Sequence, residues 1–499
     1  MTQQPRSRPA RTELAPGLEI SRIVTGLWQV ADMEKGGAKL DAARAAADMA
    51  AYAEAGFDSF DMADHYGSAE DIAGQFNSLV KGGKVRAAAR PTLFTKWCPT
   101  PGEMTPETVR AAVQRALTRM QTGRIDLLQF HWWIFRHPGW IDAMAELANL
   151  RAEGLIGHLG LTNFDTDHLR LLVKRGIPIA SNQVCFSLLD RRAAGEMSTF
   201  CLEHGVRLLA YGTLAGGLLD EKWLGKPEPA AGAITDWSKM KYKRFVDQIG
   251  GWAVLQGILR AAGSIAKKHG VSIANVASRW VLEQKAVAAV IVGARLGERE
   301  HRADNLRLFG FELDRDDHAR LDEALAASRP ISGDCGDEYR RPPFLTASGD
   351  LSHHLASFPK VYQATPMPDR PQRLRIDTGS VWEPLAGYSR AVRIGDRILV
   401  SGTTATHGAG EIICPGDVRS QTVYILDKIA ASIEALGGAL EDVVRTRIYI
   451  RDQSQWEAVS RVHGRYLGHV RPANTLVEVS GLIGGYDVEI EAEAVVTNG

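Results

Sequence analysis

Short apolar runs in this chain repeatedly end in residues that can do chemistry. Asp61 closes FDSFDM (57–62), with Tyr66 just beyond it; Lys96 closes TLFTK and His131 closes IDLLQFH. Asn163 follows IGHLGL, Gln183 lies in IASNQV and Tyr211 closes VRLLAY. A lysine at the end of an apolar run is costly to bury unless a carboxylate or a developing anion accompanies it. Asp61 is the natural partner.

The elements that must position these groups can be read from the pattern. Eight apolar runs recur: 22–26, 57–62, 92–96, 125–131, 156–161, 179–184, 206–211 and 288–292. Amphipathic stretches such as PETVRAAVQRALTRM (106–120) separate them. Repeated strand–helix units of this kind predict an α/β protein, a (β/α)8 TIM barrel, whose reacting groups gather at the C-terminal ends of its strands. One connection is too long for a single crossover helix: between Tyr211 and Ala288 the polar segment 220–252 carries Trp223, Trp237 and Trp252. It reads as a substrate-covering loop on the C-terminal face.

Residues 1–345 therefore form the barrel. The pattern then dissolves into proline, glycine and charge, so 346–380 reads as a linker. A second, α+β domain at 381–499 follows, with runs in the order strand, helix, strand, helix, strand, strand.

Composition narrows the function classes. The 499 residues are 45% hydrophobic and 24% charged, and 59 basic residues balance 59 acidic ones. A folded globular chain with no global field for nucleic acid or acidic lipid is expected. The five cysteines, Cys98, Cys185, Cys201, Cys335 and Cys414, show no CxxC spacing. Neither a disulfide framework nor a metal site is indicated, and a reducing cytoplasm is the expected location. The N-terminal MTQQPRSRPARTELAPG lacks an apolar h-region, and no run approaches the ~18 apolar residues of a membrane span.

DMADHYGSAE (61–70), TLFTKW (92–97), IDLLQFHW (125–132), IGHLGLTNF (156–164) and LLAYGTL (208–214), in this order, resemble the aldo-keto reductase family. The resemblance covers roughly the first 345 residues and implies a catalytic tetrad of Asp61, Tyr66, Lys96 and His131. Hydride reduction of a carbonyl leaves an alkoxide, so an acid must deliver a proton as charge develops. Tyr66 would deliver it, Lys96 would acidify the phenol, Asp61 would hold Lys96, and His131 would donate a hydrogen bond to the carbonyl oxygen. The resemblance further implies a nicotinamide cofactor. Asn163 and Gln183 would meet its carboxamide, and Tyr211 would stack on its ring. Gly26, Trp28, Gly212 and Leu214 would lie along it, and Gly293, Ala294, Arg295 and Asn305 would hold its phosphates. Arg295, Arg299 and Arg302 suit a 2′-phosphate, so NADPH (NADP) is expected. Trp28, Trp97 and Trp132 either line the pocket or pack the core.

GYSRAVRIGDRILVSGTTA (387–405), RPANTLVEVSGL and DVEIEAEAVV resemble the Rid/YjgF (RidA-like) family of reactive-intermediate deaminases, of chorismate-mutase-like fold. That resemblance implies homo-oligomers, with a trimer as the family form. It places Tyr388 and Glu489 at the second domain's site and Asn474 where the family has an arginine. A neutral amide grips a carboxylate poorly.

The expected function is NADPH-dependent reduction of an aldehyde or ketone, with a second domain that oligomerises or binds a ligand. Two alternatives stay open: imine or enamine hydrolysis in the C-terminal domain, and a non-catalytic NADPH-sensing protein.

Overall fold

The computed structural model describes residues 8–30, 41–296, 301–346, 355 and 357–497. An antiparallel hairpin opens the chain, β1 (Arg11–Ala15) and β2 (Leu18–Ser21). Eight parallel strands follow: β3 (Ile23–Gly26), β4 (Ser59–Asp61), β5 (Thr92–Trp97), β6 (Ile125–Phe130), β7 (Ile156–Thr162), β8 (Ile179–Cys185), β9 (Arg207–Tyr211) and β10 (Val287–Gly293). They close in sequence order, β10 returning to pair with β3. Every expected run supplies one strand, because β-branched and apolar residues buried on both faces favour parallel pairing.

The hairpin was not expected from the sequence. Its Leu14, Leu18 and Ile20 pack against Val24, Phe94, Leu127, Leu209 and Ala289 inside the barrel, so it floors the cylinder. The opposite end is left for the loops that follow the strands. Local capping sets where the helices begin: Thr105 accepts from Thr108 N ahead of Pro106, and Asp165 accepts from His168 N.

Two sequence readings need correction. The 220–252 segment is not an open loop; it holds a single turn at Glu221–Trp223 and a helix at Trp237–Ile249 whose Tyr242, Phe245 and Val246 are buried. The periodic apolar positions of KYKRFV were masked by the polar residues around them. Likewise, the stretch read as a linker contributes two strands, β11 (Thr365–Met367) and β12 (Arg370–Ile376). These join β13 (Ala391–Ile394), β14 (Arg397–Thr404), β17 (Val443–Ile450), β18 (Ala473–Glu478) and β19 (Val488–Val495) in one sheet, ordered β11-β12-β13-β14-β19-β17-β18. A separate two-stranded ribbon, β15 (Thr406–His407) and β16 (Glu411–Ile412), completes the set. Helices Val418–Ala435 and Trp456–Leu467 cover one face of the sheet.

The second domain docks on the barrel through charge. Arg465 meets Asp165 at 3.1 Å and Asp167 at 2.6 Å, and Arg170 meets Asp417 at 2.5 Å. His168 is fully buried between Asp165 (2.7 Å) and Asp427 (2.9 Å), one carboxylate from each domain. Among the described residues, no helix is long and apolar enough to cross a membrane.

Candidate active site

Parallel closure brings the ends of β4, β5 and β6 side by side, and their terminal polar residues meet on one rim. Lys96 Nζ lies 2.5 Å from Asp61 Oδ2 and donates to the Met62 carbonyl at 2.8 Å. Both side chains are about 95% buried, so the ion pair is shielded from water. Asp61 Oδ1 accepts from the amides of Gln129 (2.7 Å) and Gln183 (2.8 Å), which satisfies the rest of the carboxylate. Tyr66 stands over this pair, with Lys96 Nζ 5.0 Å from its ring centroid and Trp28 edge-on at 4.9 Å. Of the three tryptophans, Trp28 therefore faces the site, whereas Trp97 and Trp132 are buried against Phe130.

His131 sits on the same rim. Its Nδ1 is 3.2 Å from the Thr162 carbonyl, and its Nε2 is buried with no hydrogen-bond partner among the described residues. A carbonyl can only accept, so Nδ1 carries the proton. Burial, reinforced by the Arg340 charge, pushes the imidazole well below its usual range and keeps it neutral. Nε2 is then an acceptor. The family resemblance implied a donor; the backbone partner on the other nitrogen reverses that role in the resting protein.

The expected cofactor residues are only partly gathered in the expected roles. Asn163 follows β7 with φ +58, a left-handed conformation unusual for a non-glycine residue. Its carbonyl is held there by Arg340 Nη1 at 2.6 Å. Tyr211 OH donates to Asn163 Oδ1 at 2.8 Å, tying the ring residue to the amide residue. Gln183 differs from the expectation: its amide nitrogen is committed to Asp61 and Gln129. Gly212 has φ +71, and a Cβ there would strike the Tyr242 ring, so only glycine lets the chain pass between Tyr211 and that helix. Leu214 closes the same turn, its carbonyl accepting from Gly217 N at 2.8 Å. Ala294 N donates to the Gly26 carbonyl at 3.0 Å, which sets Gly293–Arg295 beside the end of β3.

At the expected phosphate end, the arginines are engaged with the protein. Arg295 pairs with Asp236 at 3.0 Å, and Arg302 donates to the Ala51 carbonyl at 2.6 Å while lying over the Tyr52 ring. Asn305 belongs to the short helix Arg302–Arg307. Arg299 lies outside the described residues.

A dinucleotide fits this rim. His131 Nε2 and Thr213 Oγ1 are buried beyond strand ends without a hydrogen-bond partner among the described residues. Leaving such atoms unmet costs about 1–3 kcal/mol each, a cost that a ligand can remove.

Sequence reasoning missed a second group, the segment after the last barrel helix. Glu338 accepts from Tyr211 OH (3.2 Å) and Arg192 (2.8 Å), and Tyr339 OH accepts from Lys241 at 2.7 Å. Arg340 lies over Phe135 and reaches the Trp132 carbonyl at 2.5 Å. The signal was the run GDEYRR, read as tail because proline and glycine flank it.

Within one chain the second domain gathers Tyr388 and Glu489 around Arg390 and Gly402 and sets Asn474 apart from them. Arg390, buried, donates to Tyr388 OH at 3.0 Å, and Glu489 lies on β19 near Gly402 with its carboxyl pushed up by burial. Asn474 donates to Thr446 Oγ1 at 2.9 Å, and Thr446 meets His463 of a covering helix. Asn474 thus faces the helices, whereas Glu489 belongs to the alternate set of β19 on the open face.

Comparison with known proteins agrees with this architecture. Residues 22–326 match the Aldo/keto reductase family, and residues 378–496 match the family described as Endoribonuclease L-PSP. Pyridoxal reductase, chloroplastic, of Arabidopsis thaliana is 27% identical over 288 residues, 55% of this chain and 74% of that protein. RutC family protein PH0854 of Pyrococcus horikoshii is 33% identical over 119 residues, 24% of this chain and 94% of its own. Flagellar radial spoke protein 5 of Chlamydomonas reinhardtii is 32% identical over 177 residues, and the match spans 32% of this chain and only 33% of that protein. A barrel of eight parallel strands with a buried Asp–Lys pair under a tyrosine, matched over most of its length, shows that the chain belongs to the aldo/keto reductase family of NAD(P)-dependent oxidoreductases.

Proposed function

We propose that the barrel reduces an aldehyde or ketone to an alcohol, with NADPH as the hydride donor and Tyr66 as the acid. The observation that carries this is the buried Lys96–Asp61 pair beneath Tyr66, on the same rim as an imidazole nitrogen with no hydrogen-bond partner among the described residues. Reduced nicotinamide, when bound, supplies the hydride. Tyr66 gives its proton to the substrate oxygen as negative charge gathers there, and the Lys96 ammonium stabilises the phenolate left behind. Asp61 keeps that ammonium charged and in place. His131 Nε2 then accepts the hydrogen bond of the newly formed hydroxyl, which fixes the product oxygen beside Tyr66. Support for NADPH over NADH is the Arg295 guanidinium at the end of β10; an incoming 2′-phosphate would replace Asp236 as its partner.

For the second domain we propose self-association through the open sheet face, where Leu399, Val477, Arg447 and Tyr449 are not covered by helices. The deaminase reading gains nothing from the placement of Asn474 away from Glu489.

The test is Tyr66→Phe. Carbonyl-dependent NADPH oxidation should fall by about 10²–10⁴-fold, while NADPH binding, followed by fluorescence, persists. A rate within a few-fold of wild type refutes the assignment. Bound NADPH with no turnover of any carbonyl in the wild type would favour the sensing alternative.

A further inference from the structure

Two loops of the barrel rim meet where the second domain touches them. One follows β7 and carries Asn163, Asp165 and Asp167; the other is the segment 334–341, with Asp334, Asp337, Glu338 and Arg340. On the side of the site they join through Arg340 Nη1, which donates to the Asn163 carbonyl at 2.6 Å. Behind it Thr166 N donates to Asp334 Oδ2 at 2.8 Å. Asn163 and Glu338 are both within hydrogen-bond reach of Tyr211 OH, at 2.8 and 3.2 Å. The loops therefore place Asn163 and Tyr211, the residues expected at the nicotinamide.

Bringing the loops together also brings four carboxylates together, and such a cluster repels itself unless a cation sits in it. Arg465, on the helix Trp456–Leu467 of the second domain, is that cation. It lies 3.1 Å from Asp165 and 2.6 Å from Asp167 of the first loop, and 3.8 Å from Asp334 and 3.7 Å from Asp337 of the second. Asp165, Asp167 and Asp337 are buried, so water screens little of their repulsion. Each has another partner as well: His168 for Asp165, Arg419 for Asp167 and Arg341 for Asp337. Among the ion pairs of the described residues, however, only those of Arg465 reach both loops. The same helix meets the segment from outside, where Arg341 donates to the Arg465 carbonyl at 3.3 Å and lies 5.2 Å from the Tyr466 ring centroid.

We propose that Arg465 is a positioning residue for the reductase: through this guanidinium the second domain holds the two loops in the arrangement that binds NADPH. The inference rests on the reductase reading above and adds control of its cofactor affinity by the fused domain. Arg465 need not touch the cofactor. Asp165 stands two residues from Asn163, and Asp337 directly precedes Glu338, so a shift of either loop reaches the site through a few backbone bonds. By linkage, a perturbation that weakens this docking weakens NADPH binding as well.

The experiment measures the NADPH dissociation constant by fluorescence titration, and kcat across a panel of aldehydes and ketones, for the full chain and three variants. Arg465→Met should weaken NADPH binding by about 10-fold and lower kcat at saturating NADPH much less. Arg419→Met takes a cation from the same seam, where it pairs with Asp167 and Glu196, but leaves the pairs of 334–341 intact. It should bind NADPH within about two-fold of wild type, the least that coupling along such a network is worth. Arg341→Met frees the segment from Tyr466 and should weaken binding by about 3-fold. Wild-type affinity in Arg465→Met, or an equal loss in Arg419→Met, overturns the positioning role. Should Arg465→Met fail to fold, Arg341→Met decides, and wild-type affinity there overturns it. A wild-type chain that binds no NADPH or reduces no member of the panel overturns the reductase reading instead.

Discussion

His168 should make the docking of the two domains depend on pH. It lies between Asp165 of the barrel and Asp427 of the second domain, and although burial opposes its charge, the two carboxylates raise it to about 9. In the unfolded chain the same group titrates at its ordinary value of 6.5. A group raised on folding contributes its full stabilisation below the unfolded value and loses it as pH climbs through the folded one. The window is therefore pH 6.5 to 9, and the difference between the two values corresponds to about 3 kcal/mol. His168→Gln keeps a hydrogen-bonding side chain of similar size but no charge. At pH 6 the variant should melt roughly 5 °C below the wild type, and the gap should narrow toward pH 9.5. Differential scanning calorimetry across that range measures it. An equal gap at both ends of the window would show that His168 docks the domains by shape, not by charge, and would refute the reasoning.

Three further outcomes follow from the same geometry. Arg465→Met removes the cation shared by Asp165 and Asp167 and should cost about 3–5 kcal/mol in chemical denaturation, since it leaves buried carboxylates unpaired; a loss under about 1 kcal/mol would mean that they find other partners. Gly336→Ala sets a methyl group against the Asn163 carbonyl at φ +84, so NADPH affinity, measured by fluorescence titration, should weaken together with stability. Lys428 is buried in the second domain and pushed down to about 7 by desolvation. A base depressed on folding burdens the fold increasingly as pH drops from its unfolded value of 10.5, and the burden levels off below 7. Lys428→Met should therefore raise the melting temperature at pH 6 and leave it nearly unchanged near pH 10.5. The Thr406 carbonyl keeps Tyr424 OH as a donor in that variant.

Much of the barrel, and the placement of Asp61, Tyr66, Lys96 and His131 along it, is legible in the amino-acid sequence because both depend on local pattern. Apolar runs of strand length separated by amphipathic helices admit few arrangements, and the closed parallel one carries every strand's C-terminal residue to a single rim. Asp61 and Lys96 needed only that placement to meet, and His131 to reach the same rim. Sequence pattern did not reveal partners chosen across long stretches of chain. Lys241 and Tyr339 are 98 residues apart, and Arg465 and Asp165 are 300 apart. Nothing periodic marks such pairs, so GDEYRR looked like tail and the helix at Trp237–Ile249 looked like loop. The hairpin floor was hidden for a related reason: four- and five-residue strands become stable only when a barrel mouth accepts Leu14, Leu18 and Ile20. Asn474 and Glu489 show the remaining limit. Residue identity nominated both for one site, but the pleat of a shared sheet turned them to opposite faces. Residue type and spacing thus determined which groups the rim could present; tertiary packing decided the protonated nitrogen of His131, the Lys241–Tyr339 contact and the charged seam between the domains, because each depends on what distant chain is pressed against it.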